Sequence, residues 1–530
     1  MILDGRKGFG HQLPHYDICV VGAGPAGITL ALELEATKLQ ICLLEAGGIT
    51  YERATQQLFE GEVVADNYPL LRDTRLGALG GSTNVWAGWC RPLEPIDFEQ
   101  RDWSNADGWP FGLDDLQPYY ARAHEICGLG PYEYDPDYWS QALGPNKLLA
   151  SDANFTNQVF HVNAQNFGHR FYAELEQSKS IDLVLRAPVT RICRDTATGK
   201  VKHVEIRMLS GHETTVKAHY FVLAAGGIEN PRLLLLSAAT PDEAPGNAHG
   251  LVGRYFTDHP FVDPGAVVFR DSARSVDFYL PQPITSTGKE ALVRGALTLC
   301  RESIERERIG NAALFFYPRY ESHRAFESTE VKAFLQMWAK VGKRAVPGGT
   351  LANLMRAARA PHWLAVAAVR KLVVSNGPSK RWRLRAMFET ESRYENRVTL
   401  CDEKDQLGRR RARVEWQLGE RDLHTMSRVI HLFDEALRHE GIGRVERTFV
   451  DEPSAWKRAA EGGKHHMGTT RMDRDPQRGV VDENSRVHGT PNLFVTGSSV
   501  FPSGGFANPT LTIVALAARL GDYIKRTVAV

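Results

Sequence analysis

Two short stretches near the C-terminal end carry the residue types best suited to chemistry. One is His465-His466, within Gly463-Lys464-His465-His466-Met467-Gly468-Thr469; the other is Asn508, within Phe506-Ala507-Asn508-Pro509-Thr510. A histidine near its ordinary pKa accepts a proton at neutral pH, and an amide N–H can hold an oxygen on which negative charge develops. Beside a hydride acceptor, such a pair would take the O–H proton of an alcohol as its C–H hydrogen leaves as hydride. Adjacent histidines also raise the question of a metal. Neighbours in extended chain point to opposite sides, and no cysteine or carboxylate cluster close in sequence completes a ligand set, so no metal site is assigned.

This chemistry needs an acceptor, and the N-terminal end offers a place for one. The apolar run Asp17-Ile18-Cys19-Val20-Val21 is followed by Gly22-Ala23-Gly24-Pro25-Ala26-Gly27 and then by helical apolar spacing through Ile28, Leu30, Ala31 and Leu34. The order is strand, tight turn, helix. Gly22 permits the turn, Gly24 lets the backbone approach a pyrophosphate, Gly27 permits close helix–strand packing, and the helix N-terminus favours negative charge. A second buried strand, Leu39 to Leu44, ends at Glu45, 18 residues beyond Gly27. An acid there accepts the ribose hydroxyls of an adenosine. With Ala46-Gly47-Gly48 next, the unit has the flavoprotein form, which points to FAD and not NAD. No second fingerprint of this kind follows, so electrons are expected to enter directly from the substrate.

Further along, Gly80-Gly81-Ser82-Thr83-Asn84-Val85-Trp86-Ala87-Gly88 is a loop of small residues whose N–H groups could approach a flavin and its diphosphate. Taken with Gly108-Trp109-Pro110, with Phe221-Val222-Leu223-Ala224-Ala225-Gly226-Gly227-Ile228-Glu229-Asn230-Pro231, and with the two C-terminal stretches, it resembles the glucose-methanol-choline (GMC) family of FAD-dependent oxidoreductases. Within that family the likeness is to the branch of pyranose and glycoside oxidases and gluconate or fructose dehydrogenases. Gly253-Arg254-Tyr255-Phe256-Thr257-Asp258-His259-Pro260 and Asn396-Arg397-Val398-Thr399-Leu400 are of the same type. The resemblance spans about residues 15–110, 183–262 and 385–530, and is weak over 265–385.

The resemblance implies an α/β fold: a doubly wound, Rossmann-like FAD-binding domain from 1–110, 183–262 and 463–530, and a substrate domain with a mixed or antiparallel sheet and helices from 111–182 and 263–462. It makes His465 the base and Asn508, 43 residues later, the oxygen-binding amide, leaving His466 as a hydrogen-bonded structural histidine. FAD contacts are expected from Gly22, Gly24, Gly27, Glu45, Gly80, Ser82, Asn84, Val189, Ala225, Gly497 and Thr510, with Val189 at the adenine. Some members bind the flavin covalently through a histidine in the Gly80–Gly88 loop. Val85 aligns there, so FAD is expected to be held without a covalent link.

At 530 residues the chain is long for a single core, and 43% hydrophobic with 24% charged residues and a net charge of +1 fits a globular protein with no general pull towards nucleic acid. Seven scattered cysteines, with no Cys-x-x-Cys, argue against a disulfide framework and for a reducing, cytoplasmic setting. The sequence has no secretory-type N-terminus and no uncharged apolar run of 18 residues. One segment breaks the charge balance: Lys332 to Arg385 holds twelve Lys/Arg and no Asp or Glu. Its apolar spacing suggests a basic helical insertion over the substrate pocket, with weak contact to an anionic membrane surface as the competing reading. The expected reaction is oxidation of a sugar or glycoside hydroxyl to a ketone or aldehyde, with oxygen, a quinone or a redox protein taking the electrons. The alternatives are a non-sugar alcohol such as a sterol, an aryl alcohol or a natural-product intermediate, a non-redox flavin lyase, and an interaction protein with a vestigial flavin site.

Overall fold

The computed structural model describes residues 1–7, 13–104, 108–144, 146–195, 197–271, 274, 276–286, 288–318 and 381–527. The apolar run at the start becomes the strand His15–Val21, whose last four residues are all buried. Apolar on both faces, it can sit only inside a sheet covered on both sides. It lies in an eight-stranded sheet ordered Ile2–Asp4, Ile181–Leu185, Ile41–Leu44, His15–Val21, Glu213–Leu223, Val201–Arg207, Val189–Arg194, with Leu493–Val495 also paired to Glu213–Leu223. The pairs are parallel from Ile2–Asp4 to Leu493–Val495 and antiparallel only at Val201–Arg207 and Val189–Arg194. This is the doubly wound domain. Helices Pro25–Leu34, Leu113–Ile126 and Thr510–Thr527 pack together in contact with it. The carboxyl ends of four parallel strands lead into Gly22, Glu45, Ala224 and Thr496, and the crevice outside such ends is where open α/β sheets bind ligands.

The second sheet is antiparallel throughout. Its order is Gly443–Arg447, Pro260–Phe269, Arg381–Phe388, Ala312–Pro318, Lys289–Leu299, Phe155–Val162, Trp89–Cys90, with Gln282–Ser286 added to Lys289–Leu299 and Glu461–Gly462 added to Pro260–Phe269. The helix Glu420–His439 seals one face, where the fully buried Phe433 meets Phe155 and Phe316 edge-on or tilted at 5.7 and 6.0 Å. A three-stranded sheet of Arg397–Lys404, Arg410–Glu415 and Gly61–Val64 completes the fold. The first 110 residues therefore lend Gly61–Val64 and Trp89–Cys90 to sheets outside the doubly wound one.

The basic insertion is corrected at one end. Residues 332–380 lie outside the described residues, but Arg381 to Arg385 are strand and not helix. Arginines at 381, 383 and 385 alternate with Leu384, Ala386 and Phe388, which are fully buried. That is the period of two of a half-buried strand. No described helix is long and apolar enough to cross a membrane.

Candidate active site

The three glycines of the first turn serve three separate needs. Gly22 has φ of +108°, and a Cβ there would lie 2.6 Å from the Ala224 carbonyl oxygen. A Cβ on Gly27 would lie 1.9 Å from the Gly22 carbonyl oxygen, so helix and turn could not close. Gly24 is different: a Cβ there would meet no protein atom nearer than Gly81 Cα at 4.0 Å, and the position opens on a cleft of about 1120 Å³. Glycine at 24 is spared for whatever lies in the cleft. Gly226, with φ of +86° and nothing within 4 Å of its would-be Cβ, lines the same cleft.

Gly22, Gly24, Glu45, Ser82, Val189, Ala225, Gly497 and Thr510 all reach the cleft wall, as do His465 and Asn508. Gly27, Gly80 and Asn84 do not line it. Gly80, at φ +90°, donates its N–H to Ala23 O at 2.8 Å. The Asn84 amide donates to Leu79 O and Gly81 O at 3.0 and 2.8 Å and accepts from Asn166, so both residues shape the loop from behind. Glu45 is buried, and its two oxygens accept the N–H groups of Ala23 at 3.1 Å and Gly47 at 2.9 Å. Burial raises its pKa. It braces the turn between Ala23 and Gly47.

At the other end of the cleft, a backbone pairing builds the chemistry. Glu461–Gly462 pairs with Pro260–Phe261, and Thr257 bridges to Met467, so residues 463–467 run alongside 257–261. His465 thereby faces His259, with Nδ1 to Nδ1 at 3.1 Å and the rings edge-on. Its other nitrogen, Nε2, is 3.2 Å from Asn508 Nδ2. Beneath them the fully buried Asp258 carboxylate accepts the N–H groups of His259, Lys464 and His465 at 2.7, 3.0 and 2.8 Å and the Tyr68 hydroxyl at 2.7 Å. Burial lifts its pKa to about 6 and pushes His259 down to about 4. Burial, and then His259, holds His465 well below its ordinary value, so the imidazole is neutral. Asn508 Oδ1 is buried with no hydrogen-bond partner among the described residues.

A histidine and an amide thus share one wall of a glycine-lined cleft, and comparison with known proteins decides the family. The sequence profile described as FAD dependent oxidoreductase matches residues 17–296. The chain belongs to that family. Residues 391–517, which include His465 and Asn508, match the profile described as GMC oxidoreductase, as the motifs implied. The chain is 26% identical to 2-methyl-1,2-propanediol dehydrogenase of Mycolicibacterium austroafricanum, over 96% of this chain and 95% of that protein. It is 24% identical to the fructose dehydrogenase large subunit of Gluconobacter japonicus, over 96% and 97%. A crystal structure of formate oxidase superposes with a TM-score of 0.59 at 17% identity, covering 98% of this chain and 99% of the other, which establishes the shared fold.

As an FAD-dependent oxidoreductase, the protein has a cleft that fits its cofactor: a glycine cradle, a helix N-terminus at each of Pro25 and Thr510, and Val189 beyond Glu45. His466 is corrected. It is buried by packing on Phe256 and Tyr68 at 5.9 and 6.4 Å, and its Nε2 has no hydrogen-bond partner among the described residues. Its carbonyl, not its ring, is tied down, by Ser498 Oγ at 2.7 Å. Sequence reading missed Tyr68, Asp258, His259 and Arg409, the last holding Val189 O at 2.8 Å. Asp258-His259 stood in a quoted motif, but nothing local says that it faces residue 465.

Proposed function

We propose that this protein oxidises a hydroxyl of a sugar, glycoside or small polyol to a ketone or aldehyde. The observation that carries the reading is the neutral His465 Nε2 lying 3.2 Å from the Asn508 amide on the wall of the FAD cleft. FAD, when bound, supplies the hydride acceptor. A hydroxyl entering between the two side chains donates its proton to His465 Nε2 and accepts from an Asn508 N–H. The oxygen is then held as its proton leaves, and the C–H hydrogen departs with its electron pair to leave a carbonyl. Gly22, Gly24 and the helix starting at Pro25 are assigned to the pyrophosphate, Glu45 to the ribose, Val189 to the adenine, and Ser82, Ala225, Gly497 and Thr510 to the rest of the cofactor. Val85 offers no nucleophile, which supports non-covalent attachment.

The substrate end favours a ring bearing hydroxyls. Trp89, Phe261 and Tyr317 offer apolar faces, and Lys464, Arg383 and Arg385 offer donors. A diol and fructose are named in two similar proteins. All seven cysteines are free, which supports a reducing compartment. Anaerobic mixing with a panel of polyols, sugars and glycosides tests the reading: the flavin band should bleach with at least one of them, and His465→Ala should abolish bleaching. A bound flavin that no alcohol reduces, with unchanged behaviour of His465→Ala, refutes the mechanism and favours a lyase. Repeating turnover in an oxygen electrode and then with a dye acceptor separates oxidase from dehydrogenase.

A further inference from the structure

We propose that His259 is a positioning residue that fixes the tautomer of His465, placing its proton on Nδ1 and its lone pair on Nε2, towards Asn508 and the cleft. The inference rests on the reading of His465 as the base. Two contacts on one ring make the case. With the Asn508 amide turned as it is in the structure, its Nδ2 lies 3.2 Å from His465 Nε2, and because an amide nitrogen can only donate, Nε2 accepts. A neutral imidazole then carries its proton on Nδ1, and that nitrogen lies 3.1 Å from His259 Nδ1, which must accept in turn. The proton of His259 is left on Nε2, which is buried against the Gly504 turn and has no hydrogen-bond partner among the described residues. The chain from Asn508 to His259 thus has one direction, and its last N–H is the one left unpaired.

The arrangement is held from below. His259 is 1% exposed, and burial keeps it neutral at physiological pH, so one of its ring nitrogens is bare and can accept, and Nδ1 is the one that faces His465. The backbone N–H groups of His259 and His465 hang from the same Asp258 carboxylate, so neither ring can drift from the other without breaking those bonds. When His465 takes a proton at Nε2, its Nδ1–H to His259 becomes a charge-assisted hydrogen bond with no movement of either ring. The opposite tautomer would set an N–H at Nε2 against the amide N–H of Asn508 and leave no base facing the cleft. A neutral histidine here takes the orienting part that a carboxylate takes in a Ser-His-Asp triad.

The test reads the tautomer directly and the chemistry separately. Protein labelled with ¹⁵N-histidine, with the His465 signals assigned by their loss in His465→Ala, should show Nδ1 protonated and Nε2 bare. In His259→Leu, which removes the acceptor, His465 should shift to a mixture containing the Nε2–H form. Anaerobic flavin reduction in that variant should slow by about 10²-fold, with substrate affinity changed by less than about threefold. His259→Asn, whose Oδ1 can accept at the position of Nδ1, should keep the wild-type tautomer and recover to within about tenfold of the wild-type rate. An Nε2–H tautomer in the wild type overturns the proposal, as does a His259→Leu that keeps both tautomer and rate. If His259→Leu fails to fold, His259→Asn alone decides: loss of the Nδ1–H tautomer at full rate sinks the idea. Should His465→Ala reduce its flavin normally, the base assignment falls, while the tautomer spectra still report whether His259 sets the ring.

Discussion

Gly24→Ala should separate the cofactor from the fold. Gly24 caps the helix Pro25–Leu34 at φ −82°, ψ −170°, a conformation open to alanine, and the new methyl would meet only Gly81 Cα at 4.0 Å. Less backbone freedom in the unfolded chain is worth about 0.4–1 kcal/mol, and alanine is a poorer cap than glycine by about the same amount. The cofactor-free protein should therefore keep its stability to within about 0.5 kcal/mol. On the proposed placement the pyrophosphate of FAD approaches the backbone where the methyl would stand, and overpacking of that kind costs about 1–3 kcal/mol. The dissociation constant should rise roughly 10- to 100-fold. Gly27→Ala is the contrast: its methyl would sit 1.9 Å from the Gly22 carbonyl oxygen, protein against protein. It should cost at least about 3 kcal/mol with or without FAD. Thermal unfolding across a series of FAD concentrations measures both, since ligand raises the midpoint in proportion to its affinity. A Gly24→Ala protein that binds FAD like the wild type, or that loses as much stability as Gly27→Ala, would refute the argument that position 24 is kept bare for the cofactor.

Other expectations are more local. Glu45→Gln can satisfy only one of the Ala23 and Gly47 N–H groups and turns its own NH₂ towards the other, so urea unfolding should show a loss of about 1–3 kcal/mol and FAD should bind more weakly. Asp422, buried at the start of helix Glu420–His439 and accepting from Gly419 and Glu391, has its pKa raised by burial to about 7. A carboxyl raised on folding contributes stability that is full below its unfolded pKa near 3.8 and is lost as pH rises through about 7. The stability gap between wild type and Asp422→Asn should thus shrink from pH 4 to pH 7.5 by at most about 4 kcal/mol, and a gap that widens would contradict the sign. Phe433→Ala should cost about 3–5 kcal/mol in unfolding while the bound flavin spectrum stays unchanged, because the cavity forms behind the antiparallel sheet and away from the cleft.

The nucleotide end was legible because its signals are contiguous. Strand, glycine turn, helix, second strand and acid occupy residues 15–45, and each is a neighbour in space of the next. Gly22, Gly24 and Gly27 could be given separate tasks from spacing alone; the structure shows a positive φ at Gly22, close packing at Gly27 and open space at Gly24. The Gly80–Gly88 loop was legible only in part: its composition marks a backbone that can approach something, but not which residues face the cleft and which face Asn166 behind it. Arg381–Arg385, the end of the expected basic insertion, was misread because a run of like charges draws attention to the surface, while the apolar residues interleaved at even positions of the strand Arg381–Phe388 carry its period. His466 was expected to be hydrogen-bonded through its ring; instead the ring packs on Phe256 with Nε2 unpartnered among the described residues, and it too lies on the cleft wall.

What could not be read is the seam. His465 follows a strand that pairs with Pro260–Phe269 of the antiparallel sheet, whereas Gly22, Ala225 and Gly497 follow strands of the doubly wound sheet. The proposed base is thus carried by one sheet and the proposed cofactor cradle by the other. Contacts across the seam join residues far apart in sequence: His259 to His465 over 206 positions and Tyr68 to Asp258 over 190. No periodicity or spacing rule reaches that far; only strand register does, and register is set by which side chains find the core. On the proposed mechanism, the pairing of Pro260 with Gly462 is therefore part of what positions the base. Moving it by one residue would turn the next side chain to the opposite face, put His466 where His465 now meets Asn508, and separate the base from Asp258. Gly463 lies hard against this register, since a Cβ there would come 2.3 Å from the His259 carbonyl oxygen. A side chain at 463 would push the two segments apart at the place where the proton acceptor is positioned, with the FAD cradle on the other sheet left intact.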